Sequence, residues 1–283
     1  MTISLITSTL GRREILGRLL TSLEQQSYRD FQIIIVDQNP DGYLDAVLAG
    51  HRQTLNLHHI RSPKGVSRGR NAGLQASTGE ILAFPDDDCW YPPELLSQAI
   101  ALLDAHPDHG MILGRTVDAS GINSVVPALP DDAEVNRDNV VVVANTNTIF
   151  MRRAAETVTG LFDEQLGPGS ASKFQGAEDR DYVMRAVSSG IKVRYIRDLT
   201  VFHEQIDVSE SGSHLARIRK YSLGDGAYYR KHGYGILQIA KMSLRAIGGI
   251  PLRILRGEAP ELTFKLTYCY FLIMGYLHWT GEF

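Results

Sequence analysis

Several things are scarce in this chain. Its 283 residues contain two cysteines, Cys89 and Cys269, too far apart to form a metal or redox motif, and a reducing compartment fits that usage. The formal charge is −3, so there is no basic excess of the kind that marks a general nucleic-acid binder. No apolar run reaches the ~20 residues that a bilayer-spanning helix needs. The best candidate, the uncharged run Leu266–Gly281, has 16. Internal repeats and low-complexity tracts are absent. The N-terminus enters a strand pattern, Ile3–Thr7, without a basic n-region or cleavage site, so no signal peptide and a cytoplasmic setting are expected. What remains is an ordinary globular composition, long enough for one large α/β domain or a domain plus an appendage.

The first hundred residues alternate strand and helix. Ile15, Leu16, Leu19, Leu20 and Leu23 share one helical face. Phe31–Val36 is a nearly continuous apolar strand, as in a parallel sheet covered on both faces. A helix over about 43–53, a strand at 55–60, a helix over 68–77, a strand at Glu80–Phe84 and a helix over 93–105 follow. This order predicts an open, mostly parallel sheet, whose ligands bind outside the carboxyl ends of the strands. Met111–Val117 and Val140–Val143 read as strands around a long loop marked by Asp118, Gly121, Pro127 and Pro130. Thr148–Met151 and Ile191–Ile196 are further strands, and Glu178–Ser188 a helix.

The charge is uneven. Residues 217–257 carry nine Lys or Arg, including Arg253 and Arg256, against one acid, Asp225. This basic segment adjoins the aromatic run Leu266–Gly281. The pairing predicts a boundary near residue 213, with residues 1–213 as the α/β domain. Residues 214–283 then form a helical appendage that lies in a membrane interface, or packs on the core or a second subunit. The polar stretch Ser209–Ser213 separates the two parts.

Five features carry chemistry. Asp37 ends an apolar strand, where a carboxylate can bond a nucleobase or ribose, or simply serve a turn. Lys64–Gly73 sets glycines, Arg68 and Arg70 at a helix start, where they can meet phosphate or a carboxylate, or form a tight turn. Asp86-Asp87-Asp88 follow a strand. Like charges this close call for a cation or full solvation, and Mg²⁺ takes one or two carboxylates beside substrate phosphates. An acidic turn capping the next helix is the alternative. Glu178 and Asp179 open a helix, either to suit its dipole or to deprotonate a hydroxyl. His203 follows the last strand of the region and can serve a metal, a diphosphate or the core.

In this order the segments resemble family 2 glycosyltransferases of the GT-A fold. The likeness runs from Ile3 to about His203, through Thr7-Ser8-Thr9, Ile34–Asp37, Gly65–Gly73, Phe84–Asp88 as the DxD region, Phe162-Asp163-Glu164, and Gly176–Asp179 as the ED motif. It implies a Rossmann-like, mixed, mostly parallel sheet flanked by helices. It also implies inverting sugar transfer from a nucleotide-sugar, usually UDP-linked, with Mg²⁺ or Mn²⁺. By resemblance Asp37 meets the base, Thr7 and Thr9 line the nucleotide pocket, and Arg70 and Asn71 support the nucleotide and the acids. Asp86 faces the ribose or donor sugar, Asp88 binds the metal with His203 nearby, Asp179 is the general base, and Glu178 orients it or touches the acceptor. The basic, aromatic tail points to a saccharide or polyprenyl-linked acceptor at the inner face of the cell membrane. Two rivals stand beside this. A sugar nucleotidyltransferase calls for a glycine-rich loop after the first strand, where Ser8–Arg13 has only Gly11. A non-catalytic, nucleotide-binding membrane scaffold does not call for the acids at 86–88 and 178–179.

Overall fold

The computed structural model describes residues 1–205, 211–248 and 261–281. Positions 209 and 210 of the polar stretch, and Arg253 and Arg256, lie outside the described residues. The chain forms two compact units. One comprises Met1–Asp163 with Asp179–Ile206, the other Glu164–Glu178 with Asp207–Phe283.

The first unit is built on strands β1 (Ile3–Thr9), β2 (Phe31–Asp37), β3 (Leu57–Arg61), β4 (Ile81–Ala83), β5 (Cys89–Trp90), β6 (Met111–Val117), β7 (Ala133–Glu134), β8 (Ile149–Arg152) and β9 (Val193–His203). Their order is β3-β2-β1-β4-β8-β6-β9-β5, with β7 beside β9. The β3-β2-β1-β4 half is parallel. β8 runs antiparallel to both β4 and β6, and β9 is parallel to β6. The sheet is therefore mixed, yet β1, β2, β4, β6 and β9 all point the same way. Their carboxyl ends share one edge.

Helices α1 (Arg13–Glu24), α2 (Asp45–His51) and α4 (Leu95–Ala105) cover one face. Leu16, Leu19, Leu20, Leu48, Leu95 and Leu103 pack there against Ile3, Leu5, Ile33 and Ile35. Helix α3 (Val66–Ala76) lies on the other face, so close that a Cβ on Gly73 would sit 2.2 Å from Ile6 Cγ2. With both faces covered, β2 is buried along its whole length, which is why its sequence does not alternate.

Val140–Val143 is not a strand but a single helical turn, α5. Its β-branched residues favour extended backbone, but the asparagines before it impose a turn. Asn136 Oδ1 accepts from the N–H groups of Asp138 and Asn139, and the Val140 N–H donates to Asn136 O at 3.0 Å. The last strand is longer than its apolar core at 191–196 indicates, so His203 ends β9 rather than following a strand. Helices α6 (Arg153–Thr159) and α7 (Glu178–Ser188) complete the elements up to β9.

The second unit contains α8 (Ser211–Lys231), α9 (Ile236–Gly248) and α10 (Glu261–His278). Leu166, Phe174, Ala227 and Trp279 form its buried cluster. Helices α8 and α10 cross closely: a Cβ on Gly226 would lie 2.1 Å from Leu272 O, and one on Gly275 2.2 Å from Leu223 O. Among the described residues no helix is long and apolar enough to cross a membrane.

Candidate active site

The carboxyl edge of the sheet gathers most of the expected residues. Thr9 pairs with Asp37 across β1 and β2, and the three acids follow β4. The short strand β5 begins directly after them and pairs antiparallel with the end of β9, setting Cys89 opposite His203. That register brings His203 Nε2 to 3.2 Å from Asp88 Oδ1.

Two arginines serve the three acids. Arg70 Nη2 lies 2.8 Å from Asp86 Oδ1, and its side chain is 4% exposed. Arg12 Nη1 lies 2.9 Å from Asp87 Oδ1 and 2.5 Å from Asp88 Oδ2. Burial raises the Asp86 carboxyl, Arg70 draws it back, and the charges of Asp88 and Asp87 lift it again, to about 6. Its side chain is still 32% exposed, and this water contact moderates the effect of burial without reversing its direction. Burial also raises Asp87, against the pull of Arg12. Asp88 goes the other way: burial pushes it up, but the His203 hydrogen bond and the Arg12 charge hold it below the usual range. His203 responds in turn, with burial lowering it and Asp88 raising it further.

The imidazole is set for this role. His203 Nδ1 lies 2.5 Å from Glu204 O, and a hydrogen assigned to Nδ1 donates to that carbonyl. Nε2–H then donates to Asp88 Oδ1, and Nε2 is the nitrogen that a metal would take once that proton has left. Among the described residues no three His, Cys, Asp or Glu side chains converge as a metal cluster. One carboxylate and one imidazole nevertheless fit a hard divalent ion that takes its remaining ligands from phosphates and water.

Other expected residues are placed differently. Asp37 is 1% exposed, and both its oxygens are engaged. Oδ1 accepts from the Asn39 N–H and Nδ2, each at 2.8 Å, while Oδ2 faces His59 Nε2 at 3.0 Å and Arg61 Nη1 at 2.9 Å. Burial raises this carboxyl, but the Asn39 and His59 bonds and the Arg61 charge more than offset it and leave it below the usual range. Asn71 grips the Phe162 backbone, donating to its carbonyl at 3.0 Å and accepting from its N–H at 2.8 Å. Thr7 and Thr9 are buried; the Thr9 hydroxyl neighbours Asp87, and the Thr7 hydroxyl has no hydrogen-bond partner among the described residues.

Asp179 stands in the first turn of α7, in the same unit as the three acids. It is half-buried, with Oδ1 accepting from the Arg180 N–H at 3.1 Å. Glu178 is 8% exposed and closes the Glu164–Glu178 segment of the second unit. Sequence reasoning weighed Ser8–Arg13 for glycines and overlooked Arg12. Its signal was an arginine in the loop after β1, at the edge where the acids gather.

The model of glycosyl transferase family 2 matches residues 4–158, more than half of the chain. The Staphylococcus aureus (strain Mu50) poly(ribitol-phosphate) beta-N-acetylglucosaminyltransferase TarS is 21% identical over 227 residues, 76% of this chain and 37% of that protein. A Campylobacter jejuni GalNAc(5)-diNAcBac-PP-undecaprenol beta-1,3-glucosyltransferase is 29% identical over 115 residues, 38% of this chain and 35% of that one. The chain thus spans little more than a third of the length of these relatives. Among solved structures, S. aureus TarS 1–349 in complex with UDP-GlcNAc matches with a TM-score of 0.60 at 22% identity, covering 80% of this chain and 66% of the other. The mannosyltransferase PcManGT from Pyrobaculum calidifontis, in complex with GDP-Man and Mn2+, matches with a TM-score of 0.68 at 16% identity, covering 99% and 88%. These structural likenesses establish the GT-A fold. With the match across β1 to α6, the chain belongs to glycosyl transferase family 2.

Proposed function

We propose that the chain transfers a sugar, with inversion, from a nucleotide-sugar to a saccharide or lipid-linked saccharide acceptor in polysaccharide or glycolipid synthesis. The observation that carries this reading is the meeting of Asp86–Asp88, Arg70 and His203 at the carboxyl edge of a family 2 sheet. UDP-GlcNAc and GDP-Man in the matching structures support a nucleotide-sugar donor, and the undecaprenol-linked substrate in the name of the Campylobacter relative supports a lipid-linked acceptor.

In this mechanism Asp88 and His203 would hold Mn²⁺ or Mg²⁺, which when bound would offset, as a Lewis acid, the charge that builds on the departing nucleotide. Arg70 keeps Asp86 aimed at the ribose or donor sugar, and the nucleoside binds beside the ends of β1 and β2 that carry Thr7, Thr9 and Asp37. The acceptor hydroxyl attacks the anomeric carbon from the face opposite the leaving group. Its proton passes to Asp179, with Glu178 orienting that carboxylate or the acceptor.

The C-terminal region, residues 214–283, serves acceptor and membrane. Helix α9 buries Ile239 and Ser243 but turns Leu237 (83% exposed) and Leu244 (69% exposed) outward, with Lys241 exposed between them. Helix α10 likewise presents Leu266, Tyr270 and Leu277 along one side. Outward leucines with basic neighbours fit a peripheral protein at an anionic inner membrane face.

Isothermal titration of UDP, GDP, CDP and ADP, each with and without Mn²⁺, tests the reading. Metal-dependent binding of one of them, lost in Asp88→Ala, is expected. A folded sample that binds none of them overturns it.

A further inference from the structure

Arg12 occupies a place that the sugar-transfer reading leaves unassigned. One nitrogen, Nη1, serves both Asp87 and Asp88. The Asp88 oxygen it takes, Oδ2, belongs to the carboxylate whose other oxygen faces His203. A divalent ion ligated by Asp88 therefore arrives beside a fixed positive charge, and the two repel. The acids cannot stand without a counter-ion, however. Asp87 is 7% exposed and stands next to Asp88 in the chain. An uncompensated pair of adjacent carboxylates at this burial would take up a proton or splay apart.

The backbone leaves Arg12 able to withdraw. It follows Gly11, whose φ of +76° places it in the left-handed region, and the Gly11 N–H is held by Asn39 Oδ1 at 2.5 Å. Arg12 forms the start of α1 without a side-chain cap bond, and its side chain is 49% exposed. Arg70 differs: at 4% exposed it is enclosed with Asp86. Of the two guanidiniums on the acids, only Arg12 has solvent to move into.

We propose that Arg12 is a resident counter-ion that competes with the divalent metal. It holds Asp87 and Asp88 in place until metal arrives. It gives way when metal enters with a diphosphate, whose negative charge then receives the freed guanidinium. Free metal binds weakly for this reason, and metal and donor load together. This inference rests on the sugar-transfer reading and assigns Arg12 a positioning role within it.

The test is titration of Mn²⁺ alone, and of Mn²⁺ with the nucleoside diphosphate that binds best, into the wild-type chain, Arg12→Gln, Arg12→Lys and Asp88→Ala. Removing one unit charge a few ångströms from the ion should tighten binding of Mn²⁺ alone about tenfold in Arg12→Gln. The gain in Mn²⁺ affinity that nucleotide confers should shrink in the same variant. Arg12→Lys keeps the charge without the planar fork and should fall between wild type and Arg12→Gln. A loosened or misfolded site does not bind metal more tightly, so the gain separates this role from a structural one. If Arg12→Gln binds Mn²⁺ alone no better than wild type, while both bind it with nucleotide, the inference is wrong and the transferase reading stands. If the wild-type chain binds Mn²⁺ under neither condition, the reading falls and takes the inference with it.

Discussion

The Phe162 ring lies flat on the Tyr182 ring, with centroids 3.9 Å apart and planes 8° from parallel. Phe84 meets both edge-on, at 5.2 Å and 5.9 Å. Asn71 fixes the Phe162 backbone from α3, and Arg185 ties α7 to the carbonyls of Thr159 and Leu161. Phe84 leads into the three acids, and Tyr182 lies one turn beyond Asp179 on α7. The aromatic cluster therefore links the strand end that carries the acids to the helix that carries Asp179, the proposed base.

Removing the stack should loosen both. Tyr182 is fully buried, so Tyr182→Ala should cost about 3–5 kcal/mol in urea unfolding. Tyr182→Phe loses only the hydroxyl contact to Met151 Sδ at 3.5 Å and should cost under about 1 kcal/mol. Equal losses in the two variants would show that the ring is not what matters.

Asp179→Asn should lower the turnover number about 10²–10⁴-fold, the range for a lost general base, and leave nucleotide affinity unchanged. Single-turnover sugar transfer beside nucleotide titration separates the two effects. A variant with full turnover would falsify the assignment of the base.

Asp37 sets an acid limit on stability. Its folded pKa lies below its unfolded value of about 3.9. Its contribution is therefore fully present above that value and is lost as pH falls through the folded pKa. Unfolding free energies of wild type and Asp37→Ala from urea titration should differ by about 1.5–3 kcal/mol at pH 7, the range for lost hydrogen bonds to a charged group. The gap should narrow below pH 4. A gap that is constant from pH 7 to pH 3 would mean that the charge on Asp37 does not contribute.

Leu237→Asp combined with Leu244→Asp places two charges on the outward side of α9. Co-sedimentation with phosphatidylserine-containing vesicles should be strong for wild type and fall at least about tenfold for the double variant. Nucleotide affinity should be unchanged. Equal sedimentation of both proteins would remove α9 from the membrane contact.

Much of the site was legible because its parts sit at the ends of periodic elements. The apolar run Phe31–Val36 announces a strand covered on both faces, and Asp37 must then stand at its carboxyl end. Glu80–Phe84 does the same for Asp86–Asp88. The Val140–Val143 turn was misread because four β-branched residues look extended unless the Asn136 and Asn139 side chains are known to hold the backbone. Arg12, and the Phe162 backbone as the partner of Asn71, were illegible for a related reason, since a side chain's partner is a property of where another segment comes to lie.

Sequence by itself determined the alternation of strand and helix, the placing of acids at strand and helix ends, and the basic, aromatic character of the C-terminal helices. These follow from local periodicity, burial and turn chemistry. Tertiary structure alone decided that Asp88 meets His203, because that contact depends on β5 pairing with β9 in the register that sets Cys89 opposite His203. It also decided that Asp37 is enclosed by Asn39, His59 and Arg61, and that one guanidinium serves two acids. A side-chain period of two states which face a residue occupies, and only the pairing of distant strands states what it faces.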